Sequence, residues 1–318
     1  MPTSETFLTR TDPVLVTLPD GCRLAARVFG PQGAPPVLLV AGGDGTMLQW
    51  RSLVPELCVD AAERELFAAA GCGDSLARDL RVAAFDARGT GWSSRAHGVC
   101  ATTKEAAADV LALAAALFGG RVHLVGHALG AAVALEVALA GPRLGAALTL
   151  IAASAGGELM AGAGAGFVAT RGALLDALAG DDRDGLAALV RRDVELGFTP
   201  GFAAAHPALI DHLAAEALHG LSWERELLRR GAAGSGAAGS HAGQWAGCDL
   251  AGRLGEVAVP TLVVRGAHDA VVAPGESEAL ARRIPGARLV TLEAGHAVAV
   301  ERATDVAAAV RAHVVLHP

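Results

Sequence analysis

The chain has 318 residues, a formal net charge of −7 and 52% hydrophobic residues, which excludes a disordered chain and a polycation that coats nucleic acid. Its five cysteines, Cys22, Cys58, Cys72, Cys100 and Cys248, are odd in number and scattered with no C-x-x-C pair, so neither a disulfide framework nor a structural zinc site is expected. The opening stretch has no basic region followed by an apolar core, and the longest apolar runs, such as 35–41, fall far short of the roughly 18–20 residues of a membrane helix. The expectation is a chain with no membrane, nucleic-acid, metal or cofactor partner, placed by default in the cytoplasm.

In chain order, short apolar runs bounded by Gly, Pro or Asp alternate with longer Ala-rich stretches. That alternation predicts a mostly parallel, doubly wound α/β sheet covered by helices on both faces. The strands fall at 12–18, 23–29, 36–41, 80–85, 121–125, 146–151, 260–265 and 287–292, the first two forming an antiparallel start. Helices are expected at 103–118, 129–140, 276–284 and 302–313, with a small helical insertion at 55–80. Between about 156 and 256 the rhythm stops, and helical pieces at 173–179, 184–195, 207–219 and 222–230 replace it. This reads as a helical cap, residues 156–256, over a core of residues 1–155 and 257–318. Its tail, GAAGSGAAGS at 231–240, has the composition of a flexible loop.

The segment RVHLVGHALGAAVALEVALAGP at 121–142 carries the chemistry. An apolar strand runs into Gly126-His127-Ala128-Leu129-Gly130 and then into an apolar helix, the shape of a nucleophile elbow. The central residue of that turn is held in a strained backbone conformation, so the residues two before and two after must be tiny. Gly126 and Gly130 meet that demand, and the nucleophile position is Ala128. Downstream, Asp269 follows strand 260–265 and can orient a histidine, and His296 follows strand 287–292. Upstream, strand 36–41 ends in Gly42-Gly43-Asp44-Gly45, whose N–H groups can face an oxyanion together with that of Leu129.

On VLLVAGGDG at 37–45, FDARGTGWSS at 85–94, VGHALG at 125–130, VPTLVVRGAHDAVV at 259–272 and LEAGHAVAVE at 292–301, the sequence resembles the alpha/beta-hydrolase superfamily over nearly its whole length. The loop GGDGTMLQW is similar to the aclacinomycin methylesterase branch. The resemblance implies the alpha/beta-hydrolase fold with a helical cap. It also implies Asp269 as orienting acid, His296 as general base, and Gly43 and Leu129 as oxyanion-hole donors. The serine does not carry over. Removing a triad nucleophile costs about a million-fold in turnover, on the order of 8 kcal/mol, so hydrolysis through an acyl-enzyme is expected to be absent.

Other residues have blander readings beside these. His127 is expected to pack or hydrogen-bond beside the elbow, and Asp86 and Arg88 to support their loop. His206, His212 and His219 lack the neighbours of a metal site and are read as solvated or pocket-lining. Asp44 is either a loop hydrogen-bonder or a carboxylate at the substrate mouth. Trp50, Phe167, Phe198, Phe202 and Trp223 are the expected substrate-lining side chains. Ser93, Ser94, Ser154 and Cys100 lie near strand ends, but each would need a different geometry to replace the missing nucleophile. Three accounts remain. One is a serine hydrolase of ester, lactone or related substrates whose Ser is replaced at 128. Another is a native His–Asp lyase, cyclase or isomerase that holds an enolate in the oxyanion hole. The third is a non-catalytic binding protein. The ligand in each case is a mainly apolar small molecule.

Overall fold

The computed structural model describes residues 12–318 apart from 44, 59–79, 95–97, 99, 101, 142–144, 157–165, 167, 168, 171, 172, 175, 176, 178–182 and 230–247. The expected helix at 173–179, most of the insertion at 55–80 and the loop at 231–240 therefore lie largely or wholly outside the described residues. All eight expected strands form: β1 (Val14–Thr17), β2 (Arg23–Phe29), β3 (Pro36–Val40), β4 (Arg81–Phe85), β5 (Val122–His127), β6 (Gly145–Ile151), β7 (Thr261–Gly266) and β8 (Arg288–Leu292). They make one sheet in the order β1-β2-β4-β3-β5-β6-β7-β8. β1 pairs antiparallel with β2 and β2 with β4, and every later pairing is parallel. The central strands are apolar without alternation because helices cover both faces, and every residue of β5 and β6 is buried.

After β3 the chain passes to β4 on one side, and then to β5 on the other. The order thus reverses between β3 and β5, and a crevice opens at the carboxyl ends of strands flanking such a switch point. The glycine loop that follows β3 and the elbow that follows β5 meet there.

One face of the sheet is covered by α2 (Thr103–Phe118), α3 (Leu129–Ala140) and α7 (Pro274–Arg283), and the other by α1 (Leu53–Cys58) and α8 (Ala303–Leu316). Helix boundaries follow local chemistry. The Thr102 side chain accepts from the Glu105 N–H at the start of α2, and Gly119 closes that helix at φ 79°. Between β6 and β7 the described residues form helices: α4 (Arg183–Leu196), α5 (Pro200–Ala205) and α6 (Pro207–Arg229). Leu174, Leu186, Val190 and Ala214 pack there as a separate small cluster.

Two expectations are corrected. The pieces 207–219 and 222–230 are one continuous helix, α6, since a single Gly220 costs only about 1 kcal/mol of helix propensity. Helix α5, which periodicity passes over, is set by Thr199 as N-cap and Pro200 at its first turn.

At the opposite end of the sheet, His123 in β5 is 3% exposed. Burial first, and then the neighbouring His313, Arg121 and His317, push its pKa down to about 4. An unfolded chain titrates this group near its ordinary value, about 6.5, and so binds a proton that the folded chain refuses. Stability present at neutral pH is therefore lost as pH falls from about 6.5 towards 4, by about 2 kcal/mol from this residue. Denaturant unfolding at pH 7.5 and pH 4.5 checks it: His123→Leu is expected to shrink the difference between the two conditions, and an unchanged difference would remove His123 as its source.

Candidate active site

The elbow is formed as the glycine spacing requires. Ala128 has φ 50° and ψ −116°, a conformation that costs a non-glycine residue about 1–3 kcal/mol. A Cβ on Gly126 would lie 2.4 Å from the Gly130 carbonyl oxygen, and one on Gly130 would lie 2.1 Å from the Val40 carbonyl oxygen. Neither position tolerates a side chain. Helix α3 begins at Leu129, and the first N–H groups of a helix have no intrahelical acceptor.

Across from the elbow, Asp269 follows β7 and His296 follows β8. The two loops are joined by the Ala267 N–H to Leu292 O at 2.8 Å and the His268 N–H to Ala294 O at 3.0 Å. His296 Nδ1 lies 2.9 Å from Asp269 Oδ2 and 3.1 Å from Oδ1. Asp269 Oδ1 also accepts from the N–H groups of Val271, at 2.8 Å, and Val272, at 2.9 Å. Burial alone would raise the Asp269 carboxyl, but the His296 charge and these hydrogen bonds outweigh it and hold it below its ordinary value. An ionised carboxylate accepts only, so Nδ1 carries a proton, and in the neutral ring Nε2 is then the acceptor.

His127 links the two sides. It is 5% exposed, and burial first, then the His296 charge, push its pKa down to about 4. Its Nε2 lies 3.0 Å from the His296 carbonyl oxygen, and its Nδ1 lies 2.7 Å from Gln49 Nε2. A carbonyl cannot donate, so Nε2 carries the hydrogen and Nδ1 accepts from Gln49. Gln49 Oε1 in turn accepts from the Gly42 N–H at 2.5 Å. A neutral relay thus runs from the glycine loop to the backbone of His296, and the two imidazoles meet edge to face with centroids 4.9 Å apart. His127 is the packing and hydrogen-bonding residue expected. Gln49 carried no sequence signal.

Asp86 fixes the same loop from below, accepting from the Met47 N–H at 2.8 Å and the Trp92 N–H at 2.8 Å. Arg88 holds Asp109 with Nε at 2.9 Å and Nη2 at 2.7 Å. Both act as loop supports. Gly43 is exposed in its turn, and Asp44 lies outside the described residues. Trp50 is corrected: it is fully buried, edge-on to His127 at 6.4 Å, because the short 3-10 turn Met47–Trp50 drives it into the core. Phe198 and Phe202 stack at 5.3 Å on a segment bonded to the His296 loop, where the Ala297 N–H donates to Gly197 O at 2.6 Å. Phe167 and the side chain of Trp223 lie outside the described residues.

The substitute nucleophiles are engaged elsewhere. Ser93 Oγ donates to Asp86 O at 2.6 Å and accepts from the Ala25 N–H at 2.9 Å. Ser154 is fully buried and accepts from the Gly156 N–H at 3.1 Å. The Cys100 thiol, 3.5 Å from Asp109, is pushed up to about 12 by burial first and then by that carboxylate. His206 stacks on Phe202 and His212 pairs with Glu216. Among the described residues no cluster of His, Cys, Asp or Glu could hold a metal ion, and no helix is long and apolar enough to cross a membrane.

An eight-stranded, mostly parallel sheet with a glycine-flanked elbow and a His–Asp pair at its strand ends defines the alpha/beta-hydrolase class. The family model for the alpha/beta hydrolase fold matches residues 35–303; the chain belongs to that family and is an enzyme of its superfamily. A hydrolase from Pseudomonas aeruginosa PA01 is similar in structure at a TM-score of 0.72, with 27% identity, covering 96% of this chain and 99% of that one. A thermophilic esterase from Thermogutta terrifontis is similar at a TM-score of 0.73 and 25% identity, covering 97% and 100%. The enol-lactonase from Burkholderia xenovorans LB400, at 22% identity and a TM-score of 0.71, covering 95% and 100%, shares the fold. In sequence, 112 residues are 36% identical to the putative carbamate hydrolase RutD of Variovorax paradoxus (strain S110), a match spanning 35% of this chain and 35% of that relative's length.

Strain at the elbow yields a direct prediction. Glycine adopts positive φ freely, so Ala128→Gly relieves about 1–3 kcal/mol of strain against about 0.5–1 kcal/mol of added chain entropy. Denaturant unfolding is expected to show the variant more stable by about 1 kcal/mol. A loss of stability of that size would show that Ala128 is not strained.

Proposed function

We propose that this enzyme acts on an ester, lactone or related carbonyl of a mainly apolar small molecule, with His296 as general base, Asp269 as its orienting acid and Gly43 and Leu129 as oxyanion donors. The observation that carries the reading is the hydrogen-bonded His296–Asp269 pair, docked through His127 on the strand end that bears the elbow. The names of the similar esterase and enol-lactonase agree with it. The described helices between β6 and β7, α4, α5 and α6, serve as a cap, with Phe198 and Phe202 as the apolar lining. A recess beside the elbow is bounded by Val40, Phe85, Leu129 and Val133, with Arg88 and Asp109 also on its wall.

Ala128 offers a methyl group at the nucleophile position, with neither a proton to lose nor a lone pair to attack, so no acyl-enzyme forms there. Water attacks the carbonyl carbon directly. His296 Nε2 takes one of its protons as the new C–O bond forms, and the carbonyl oxygen takes the electron pair towards the N–H groups of Leu129 and Gly43. Collapse of the tetrahedral species breaks the bond to the leaving group, which recovers the proton from His296. The same base and donors also suit proton abstraction beside a carbonyl, a second reading favoured by the retention of the His–Asp pair beside an alanine elbow.

Ala128→Ser separates the readings. The hydroxyl is expected to raise hydrolysis of 4-nitrophenyl esters by at least about a thousand-fold, because only one member of a cooperative set is missing, and to make the protein label with a serine-directed phosphonate. His296→Ala in that background should abolish both. A folded Ala128→Ser protein that neither labels nor hydrolyses would shift the assignment to proton-transfer chemistry, in which the unaltered chain turns over its own substrate and His296→Ala stops it.

A further inference from the structure

One carboxylate joins the loop that carries His296 to the turn that carries the stacked phenylalanines. Glu301, the last residue of the short helix Val298–Glu301, accepts through Oε1 from the Gly295 N–H at 2.8 Å and the Thr199 N–H at 3.0 Å. Its Oε2 accepts from the Thr199 hydroxyl at 2.7 Å. On the far side of His296, the Ala297 N–H donates to Gly197 O. The backbone of His296 is thus tied to the helical segment on both sides, through Glu301 before it and directly after it. The approach is close: a Cβ on Gly295 would lie 2.8 Å from both Gly197 O and the Phe198 carbonyl carbon, and 3.0 Å from Glu301 Oε1. Thr199 meanwhile accepts from the Phe202 N–H at 3.3 Å as the N-cap of α5. The same carboxylate therefore sets where Phe198 and Phe202 stand.

We propose that Glu301 is a positioning residue that couples the Phe198–Phe202 turn to the His296 backbone, so that the aromatic lining and the base hold one common geometry; this rests on the reading of His296 as the base. Three donors converge on its two oxygens, an arrangement a carboxylate satisfies fully. Glutamine can satisfy it too, with Oε1 serving both backbone N–H groups and its amide donating to a Thr199 hydroxyl turned into an acceptor. Alanine cannot. Another tie between core and helical segment among the described residues, the Arg51–Glu216 ion pair, joins the end of the 3-10 turn to α6 and does not touch the His296 loop, so it serves as a control.

Hydrogen exchange read by mass spectrometry on the full chain tests the coupling without any substrate. Glu301→Ala is expected to speed exchange about ten-fold or more in 197–203 and 294–298 together, Glu301→Gln to restore both, and Glu216→Ala to leave both unchanged. Thr199→Val, which deletes the hydroxyl arm together with the acceptor for the Phe202 N–H, is expected to speed exchange in 294–298 although it lies outside that segment. In an Ala128→Ser background with 4-nitrophenyl butyrate, Glu301→Ala is expected to lower kcat about 10- to 100-fold with KM altered far less, and Glu301→Gln to recover most of it. Acceleration of only one segment, or a glutamine variant that behaves like alanine, overturns the proposal. Coupled exchange in a protein whose Ala128→Ser form is inactive sustains the coupling and removes the assignment of His296 as the base.

Discussion

The left-handed backbone at Ala128 is the constraint around which the other parts of the site are arranged. A strand that turns into a helix within one residue can do so only if that residue takes positive φ and if the chain on either side comes within van der Waals range of itself. Both conditions hold here, with φ 50° at Ala128 and no room for a Cβ at Gly126 or Gly130. The close approach of Gly130 to the Val40 and Ala41 carbonyls presses helix α3 against the end of β3. That contact brings the first N–H of the helix and the glycine loop to the same crevice.

Polar groups buried near that crevice are satisfied in a single direction. The Gly42 N–H donates to Gln49, Gln49 donates to His127, and His127 donates to the carbonyl of His296. His127 can serve this way only while neutral, and burial keeps it so. Asp269 is the opposite case, a buried carboxylate kept ionised because His296 and two backbone N–H groups meet its charge. Two adjacent imidazoles thus have different characters. His127 is fixed by hydrogen bonds on both ring nitrogens, whereas His296 is bonded through Nδ1 to Asp269.

Among the described residues, core and helical segment are bonded at the loops beside the candidate site. Glu301 and the Ala297 N–H grip the turn at Gly197–Thr199, while Arg51, two residues beyond Gln49, reaches Glu216 on α6. The helical segment is therefore bonded both to the His296 loop and to the turn that follows the glycine loop.

The sequence by itself determined the eight strands, the elbow with its flanking glycines, and the placement of Asp269 and His296 after successive strands. Each of these is written in local terms: an apolar run of strand length, a glycine where a Cβ collides, a polar residue just beyond a strand. It also placed Ala128 at the tip of that elbow. Tertiary structure decided the rest. Whether Trp50 faced a ligand or the core depended on the turn at Met47–Trp50. Whether Gly220 broke a helix depended on the balance of propensity over the full length of α6. Gln49, Thr199 and Glu301 are ordinary polar residues in sequence, and they matter because distant segments bring unpaired N–H groups to them. Such partners are set by three-dimensional packing across about a hundred residues of chain, and no local pattern of side chains encodes that distance.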